Sequence, residues 1–276
     1  MTLIIRNRLL FTFSIISVIF ITAVTGCSIV SIVNGTAAIP EQVERLFVLP
    51  ETVPLLSYNF FASVSAIVLL TLYACGVTFI LYVNFEKTQS PEIIYFTGFL
   101  CGCLLEGVRL CLPIFNLWQY YVNVYIFIGR VLFFGKMLAV LSFVFLVLLS
   151  IKQNAQQDAD KNILVILAAA GGFSVIIPID TLQMLSNCSV KFGYGNLFTT
   201  LTVICIIVAF TAMRLYGSSI GSAEYRKASV GYAALITGYA VLTIADAFLI
   251  VIAGAVLLFA GTAYFLKKLH NYYMWK

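Results

Sequence analysis

The residues best placed to do chemistry lie in one apolar stretch, Tyr95 to Arg109 (YFTGFLCGCLLEGVR). Tyr95, Gly98, Gly102, Glu106 and Arg109 recur at spacings of three, four, four and three, which on a helix is one continuous stripe. Gly98 and Gly102 form its small end, suited to close helix packing. Glu106 and Arg109 form its ionisable end. Charge inside hydrocarbon is costly, so such a pair marks either a ligand, ion or proton site or a buried contact that fixes helix register.

Depth along the helices nominates partners. Glu106 comes fourteen positions after Glu92, roughly 21 Å at helical rise. Lys136 lies fourteen positions before Ser150 on the following apolar segment, and Arg130 matches when depth is taken from the other end. Asp180 and Asp246 fall toward the same end. The expected polar site is therefore Glu106, Arg109, Arg130, Lys136, Asp180 and Asp246, with Arg130 or Lys136 facing Glu106. The competing expectation is structural: Arg109 and Arg130 snorkel to the interface, and Glu106 pairs with a cation only to hold two helices together.

These residues must be positioned by membrane helices. The chain has 276 residues, 62% apolar, with 10% charged residues and a mean hydropathy of +1.05. A soluble domain, typically about 45–50% apolar, could not cover its surface with such a composition. The apolar segments are long and continuous, which excludes a transmembrane β-barrel. The expected fold is an all-α polytopic bundle in one domain, residues 1–276. The net charge of +5 is spread over ends and loops, so no basic face for nucleic acid is expected.

The seven cysteines include no C-x-x-C pair and the single histidine is His270, so no metal site is expected. No H-E-x-x-H, G-x-S-x-G or phosphate-binding glycine loop is present. The sequence names no catalytic residue and no cofactor, and an enzyme is not expected.

In order, the spans read Leu9–Val33, Tyr58–Val83, Glu92–Leu112, Val122–Ser150, Ile163–Ile179 and Leu197–Leu215. Pro113 interrupts the third. The run 46–49 is expected to dip into the interface and 116–121 to form an aromatic belt. Residues 182–195 read as a polar loop. Ala228 to Leu266 is 39 residues, nearly all apolar. One helix of that length would reach ~58 Å, about twice a ~30 Å hydrocarbon core. A hairpin broken near Asp246 fits better, with Gly231 and Gly238 packing against Gly254 and Gly261. The count is eight spans, or seven if the last stretch is one long helix.

Charge sets the expected orientation. With eight spans and both termini in the cytoplasm, eleven cations fall inside and two, Arg45 and Lys191, outside. Val24-Thr-Gly-Cys27 resembles a bacterial lipoprotein cleavage box, making Cys27 a lipidation candidate. The reading adopted is a retained signal-anchor helix in a bacterial inner membrane. Asn34-Gly-Thr36 and Asn187-Cys-Ser189 are sequons on expected outer loops. Beyond membrane lipids, the small loops leave no effector domain, so a sensing or ligand-binding module would need a partner signalling protein. The alternative is a small-solute or ion transporter, although no internal repeat is found.

Overall fold

A computed structural model of the chain describes residues 3–37, 45, 54–86, 88, 90–117, 121–150 and 159–274. Among them are eight helices: α1 (Leu3–Val33), α2 (Phe60–Asn84), α3 (Glu92–Phe115), α4 (Val122–Ser150), α5 (Ala159–Ile176), α6 (Gly195–Ser219), α7 (Ala223–Ile244) and α8 (Phe248–Met274). Seven are long and apolar enough to cross a membrane, and α5 is a shorter apolar helix. The chain is an all-α, multi-pass membrane bundle. The run 46–49, the belt residues 118–120 and the loop 151–158 lie outside the described residues.

The long apolar stretch after residue 223 is a hairpin, broken at 245–247 around Asp246. Glycine permits its close packing. A Cβ on Gly261 would stand 2.5 Å from Leu235 N, and one on Gly231 would stand 2.8 Å from Phe265 N. Gly238 and Gly254 face Leu258 and Leu242 in the same seam. α3 meets α4 in the same manner: a Cβ on Gly102 would lie 2.6 Å from Gly135 O, and Gly98 abuts Ser142. α2, α3, α4 and α7 supply most of the core. α1 and α6 are mostly unburied within the chain and present apolar side chains outward, as lipid-facing helices must.

Two departures from the expected chain path matter for the site. First, Pro113 does not end α3, which continues to Phe115 and stops at Asn116 in the left-handed region (φ 47°). Proline has no N–H for Arg109 O and its ring crowds that carbonyl. The chain tightens just upstream, and Glu106–Leu110 forms a 3-10 turn inside the span. Second, the helix of the expected fifth span ends at Ile176 and not at Ile179, and the chain from Ile179 into the expected loop 182–195 forms an antiparallel hairpin, β1 (Ile179–Met184) and β2 (Val190–Phe192). Its tip is buried: Leu185, Ser186, Asn187, Cys188 and Ser189 are each 7% exposed or less. Polar backbone buried in this way must find its hydrogen-bond partners within the protein.

Candidate functional site

The 3-10 turn brings the two charges together. With three residues per turn, positions i and i+3 eclipse, so Glu106 and Arg109 project side by side. Arg109 Nε and Glu106 Oε2 are 3.2 Å apart, and each residue is about 1% exposed. The contact has ion-pair length without hydrogen-bond alignment, so neither atom completes a hydrogen bond among the described residues. Among the described residues, Glu106 Oε1 accepts only a long bond, from Tyr239 OH at 3.4 Å. Arg109 Nη2 donates to Thr243 O at 2.5 Å. Gly107 clears the approach of α1 and α2, since a Cβ there would lie 2.6 Å from Thr71 Cγ2 and 2.8 Å from Phe20.

The hairpin tip closes over this pair. Asn187 Nδ2 donates to Thr243 O at 2.8 Å, the same carbonyl that Arg109 uses. Ser186 Oγ donates to Asp246 Oδ2 at 2.9 Å, and Ser63 Oγ on α2 donates to Ser186 O at 2.9 Å. Asp246 also takes Arg45 Nε at 3.1 Å, and its carbonyl accepts Asn59 N. Asn59 in turn caps α2 by accepting from Phe61 N. The break between α7 and α8 thus ties the tip, the first loop and the start of α2 together. At this end the Cys188 thiol is pushed up to about 12, chiefly by burial, with Arg109 opposing. Burial likewise raises the Tyr58 phenol to about 12, helped by Cys188 and Asp246. Tyr58 OH is buried with no hydrogen-bond partner among the described residues.

The expected site is therefore partly assembled and partly dispersed. Glu106, Arg109 and Asp246 belong to one connected network. Arg130 does not join it, because it is exposed on α4. Lys136 is half-buried within Coulombic range of Glu106 and Arg109, but its Nζ sits 5.2 Å from the Phe192 ring centroid instead of on the carboxylate. The partner of Glu106 is its own helix neighbour, not a cation of the next span. Asp180 sits on β1 in register with Lys191, near Tyr125 and away from the tip. Cys27 is exposed on an unbroken α1, and it and Cys188 are free thiols. Of the two sequons, Asn34 is exposed, whereas Asn187 is 2% exposed with its side chain engaged, which closes it to glycosylation in the folded chain.

Sequence reasoning missed Ser63, Ser186, Asn187, Tyr239 and Thr243. Val190-Lys-Phe192 does alternate apolar and polar, a strand signal, but three residues are too few to weigh against a polar loop reading.

A second buried carboxylate lies at the other end of α3. Glu92, expected as a favourable acid in the first helical turn, is 2% exposed. It accepts from Ser90 Oγ (2.8 Å), Tyr273 OH (2.6 Å) and, more weakly, Tyr225 OH (3.5 Å). Between the two carboxylates the interior is aromatic and tightly packed. Phe99 stacks on Phe143 at 4.1 Å and meets Tyr239 edge-on at 5.3 Å, while Phe96 packs on Phe265 at 5.8 Å. A small apolar crevice lined by Ser28, Phe60, Val64, Leu110, Pro113 and Ile114 lies beside α3 and does not include the charged pair.

No protein-family model, no curated protein and no solved structure matches this chain.

Proposed function

We propose that this protein is a membrane-embedded sensing or ligand-binding module, with Glu106 and Arg109 as its recognition pair, acting through a partner protein. The observation that carries this reading is the form of the site: a charged pair, incompletely hydrogen-bonded, closed from one side by a polar hairpin and from the other by packed aromatic rings. Buried polar groups are normally satisfied, and a ligand offering an anion to Arg109 and a donor to Glu106 would complete both. The aromatic block between Glu106 and Glu92 speaks against a continuous aqueous path, which a transporter needs in at least one state. On this reading the protein is not an enzyme. The bundle end carrying both termini faces the cytoplasm of a bacterial inner membrane, since it holds Arg6, Arg8, Arg226, Lys227, Lys267 and Lys268 against Arg45 and Lys191 at the other end.

One feature favours the second reading, a small-solute or ion transporter. Irregular turns inside a span that carry the binding groups are typical of transporters, and α3 departs from regular α-helix at Glu106, where it tightens into the 3-10 turn. Two assays separate the readings. In a thermal-shift screen of small charged solutes, the sensing reading expects a stabilising solute whose effect disappears in Glu106→Gln. In proteoliposomes it expects no solute or proton flux above protein-free vesicles. A flux that is lost in Glu106→Gln would replace sensing with transport.

A further inference from the structure

We infer that the hairpin of residues 179–192 is a removable plug, and that its departure opens the Glu106–Arg109 pair to water from the Asp246 end of the bundle. This deepens the proposed function by assigning the regulation of that site.

Four features make the hairpin separable from the core. Its two strands pair at only three positions, with an irregularity between Asp180 and Met184, and an isolated two-stranded hairpin is marginal at best. It is therefore held by the bundle and not by itself. Its strands rest mainly on a satellite apolar cluster with Tyr125, Ile128 and Leu132 of α4, and Phe192 also touches the main core at Phe133. Gly129 makes the seat, since a Cβ there would lie 2.9 Å from Ile179 Cδ1. The tip is fastened chiefly through polar groups, Ser63 to Ser186 O, Ser186 to Asp246 and Asn187 to Thr243 O, with Cys188 also packed in a small apolar cluster with Phe60, Ile67 and Leu110. Water can replace such bonds one for one, whereas it cannot replace apolar packing. The neck is short and defined: Gly193 N bonds Pro178 O at 2.8 Å, and Tyr194 follows in the left-handed region (φ 59°).

The chemistry of the tip fits this role. A sequence such as Ser186-Asn-Cys-Ser189 contributes little apolar burial, so it is a poor choice for a permanent core element. As a plug it keeps water from the ion pair while seated and needs few dry contacts to be broken on leaving. Phe192 beneath Lys136 and Asn187 beside Arg109 make its seating sensitive to the charges behind it. A ligand that draws Arg109 away from Thr243 O would alter the carbonyl that Asn187 shares.

Cys188, 1% exposed at the tip, is a native reporter of opening. The experiment uses the full chain in proteoliposomes with one cysteine retained and the other six replaced. One chain keeps Cys188; a second keeps Cys103, which is fully buried in α3 and reports loss of the whole fold. Maleimide labelling is followed by mass spectrometry, with and without Ser186→Ala. Deleting a hydrogen bond to a charged acceptor should raise a local opening equilibrium, and so the Cys188 rate, by about tenfold. The Cys103 rate should stay unchanged. Asn187→Ala should act in the same direction, which guards against one variant misfolding. If Cys188 and Cys103 label in parallel in every background, the hairpin is an integral part of the core and the plug is disproved. The assay needs no ligand. A plug that opens in a protein that binds no charged solute would sink the sensing role alone, and a rigid hairpin in a protein that does bind would sink the plug alone.

Discussion

The two ends of α3 each bury a carboxylate, and they treat it differently. Glu92 receives hydroxyl donors from Ser90, Tyr225 and Tyr273 and has no cation within ion-pair distance among the described residues. Those donors join the start of α3 to the first turn of α7 and the last turns of α8, so the carboxylate works as a clasp for the end of the bundle. Glu106 has a cation 3.2 Å away, yet one of its oxygens lacks an aligned hydrogen bond and the other has only a long one. A satisfied buried carboxylate stabilises a fold. An unevenly satisfied one beside a guanidinium, under a polar hairpin, is a place where another molecule can improve the hydrogen bonding. Burial alone does not distinguish the two carboxylates; the completeness of their hydrogen bonding does.

The largest effect should come from breaking the pair. Arg109→Met leaves Glu106 buried and uncompensated, at a cost of about 3–5 kcal/mol. Adding Glu106→Gln to it should restore most of that loss, as measured by thermal unfolding in detergent micelles. An Arg109→Met variant as stable as wild type would mean that the pair contributes nothing to the stability of the fold. Gly102→Val should come next. Its added side chain meets Gly135 O and Ala139 and forces α3 from α4 between the two ends, costing about 1–3 kcal/mol and disturbing both carboxylates together. Tyr273→Phe removes one of the donors to Glu92 and should cost about 1 kcal/mol without changing Cys188 labelling. A change in Cys188 labelling would show that the clasp and the hairpin are coupled, and the two ends would no longer be separate. The smallest effect at neutral pH is titration of the hairpin end. Cys188 and Tyr58 are raised to about 12 from ordinary values of 9.0 and 10.0. Their neutral forms are favoured in the folded chain, so their contribution is complete below pH 9.0 and is lost as pH climbs toward about 12. Thermal midpoints should be flat in this respect below pH 9.0 and fall above it, and less so in Cys188→Ala.

Much of the fold was readable because membrane helices obey few rules. Length and hydropathy locate the spans, and the single charge in the last apolar stretch, Asp246, marks the break between α7 and α8. The paired glycines Gly231, Gly238, Gly254 and Gly261 lie in the seam that their spacing implies. The stripe on α3 places Glu106 and Arg109 at one end, but matching depths on a neighbouring span does not give the angle at which a side chain points. Arg130 therefore comes out exposed, and Lys136 lies over Phe192. The 3-10 turn was hidden because Pro113 acts on the helix four residues before itself, not only at its own position. The buried hairpin was hidden because polar residues between two spans ordinarily mean a solvated loop, and only tertiary contacts with Ser63, Thr243 and Asp246 show otherwise.

Hydrogen–deuterium exchange in proteoliposomes tests the contrast between the ends most directly. In the wild-type chain, amides of residues 185–190 should exchange by local opening, well before those of residues 228–236 in α7 beside the Glu92 clasp. Glu106→Gln should change the first rate and leave the second alone, and Glu92→Gln should leave the first alone. Equal, slow exchange at both ends, unmoved by Glu106→Gln, would contradict the account and make the charged pair a second structural clasp.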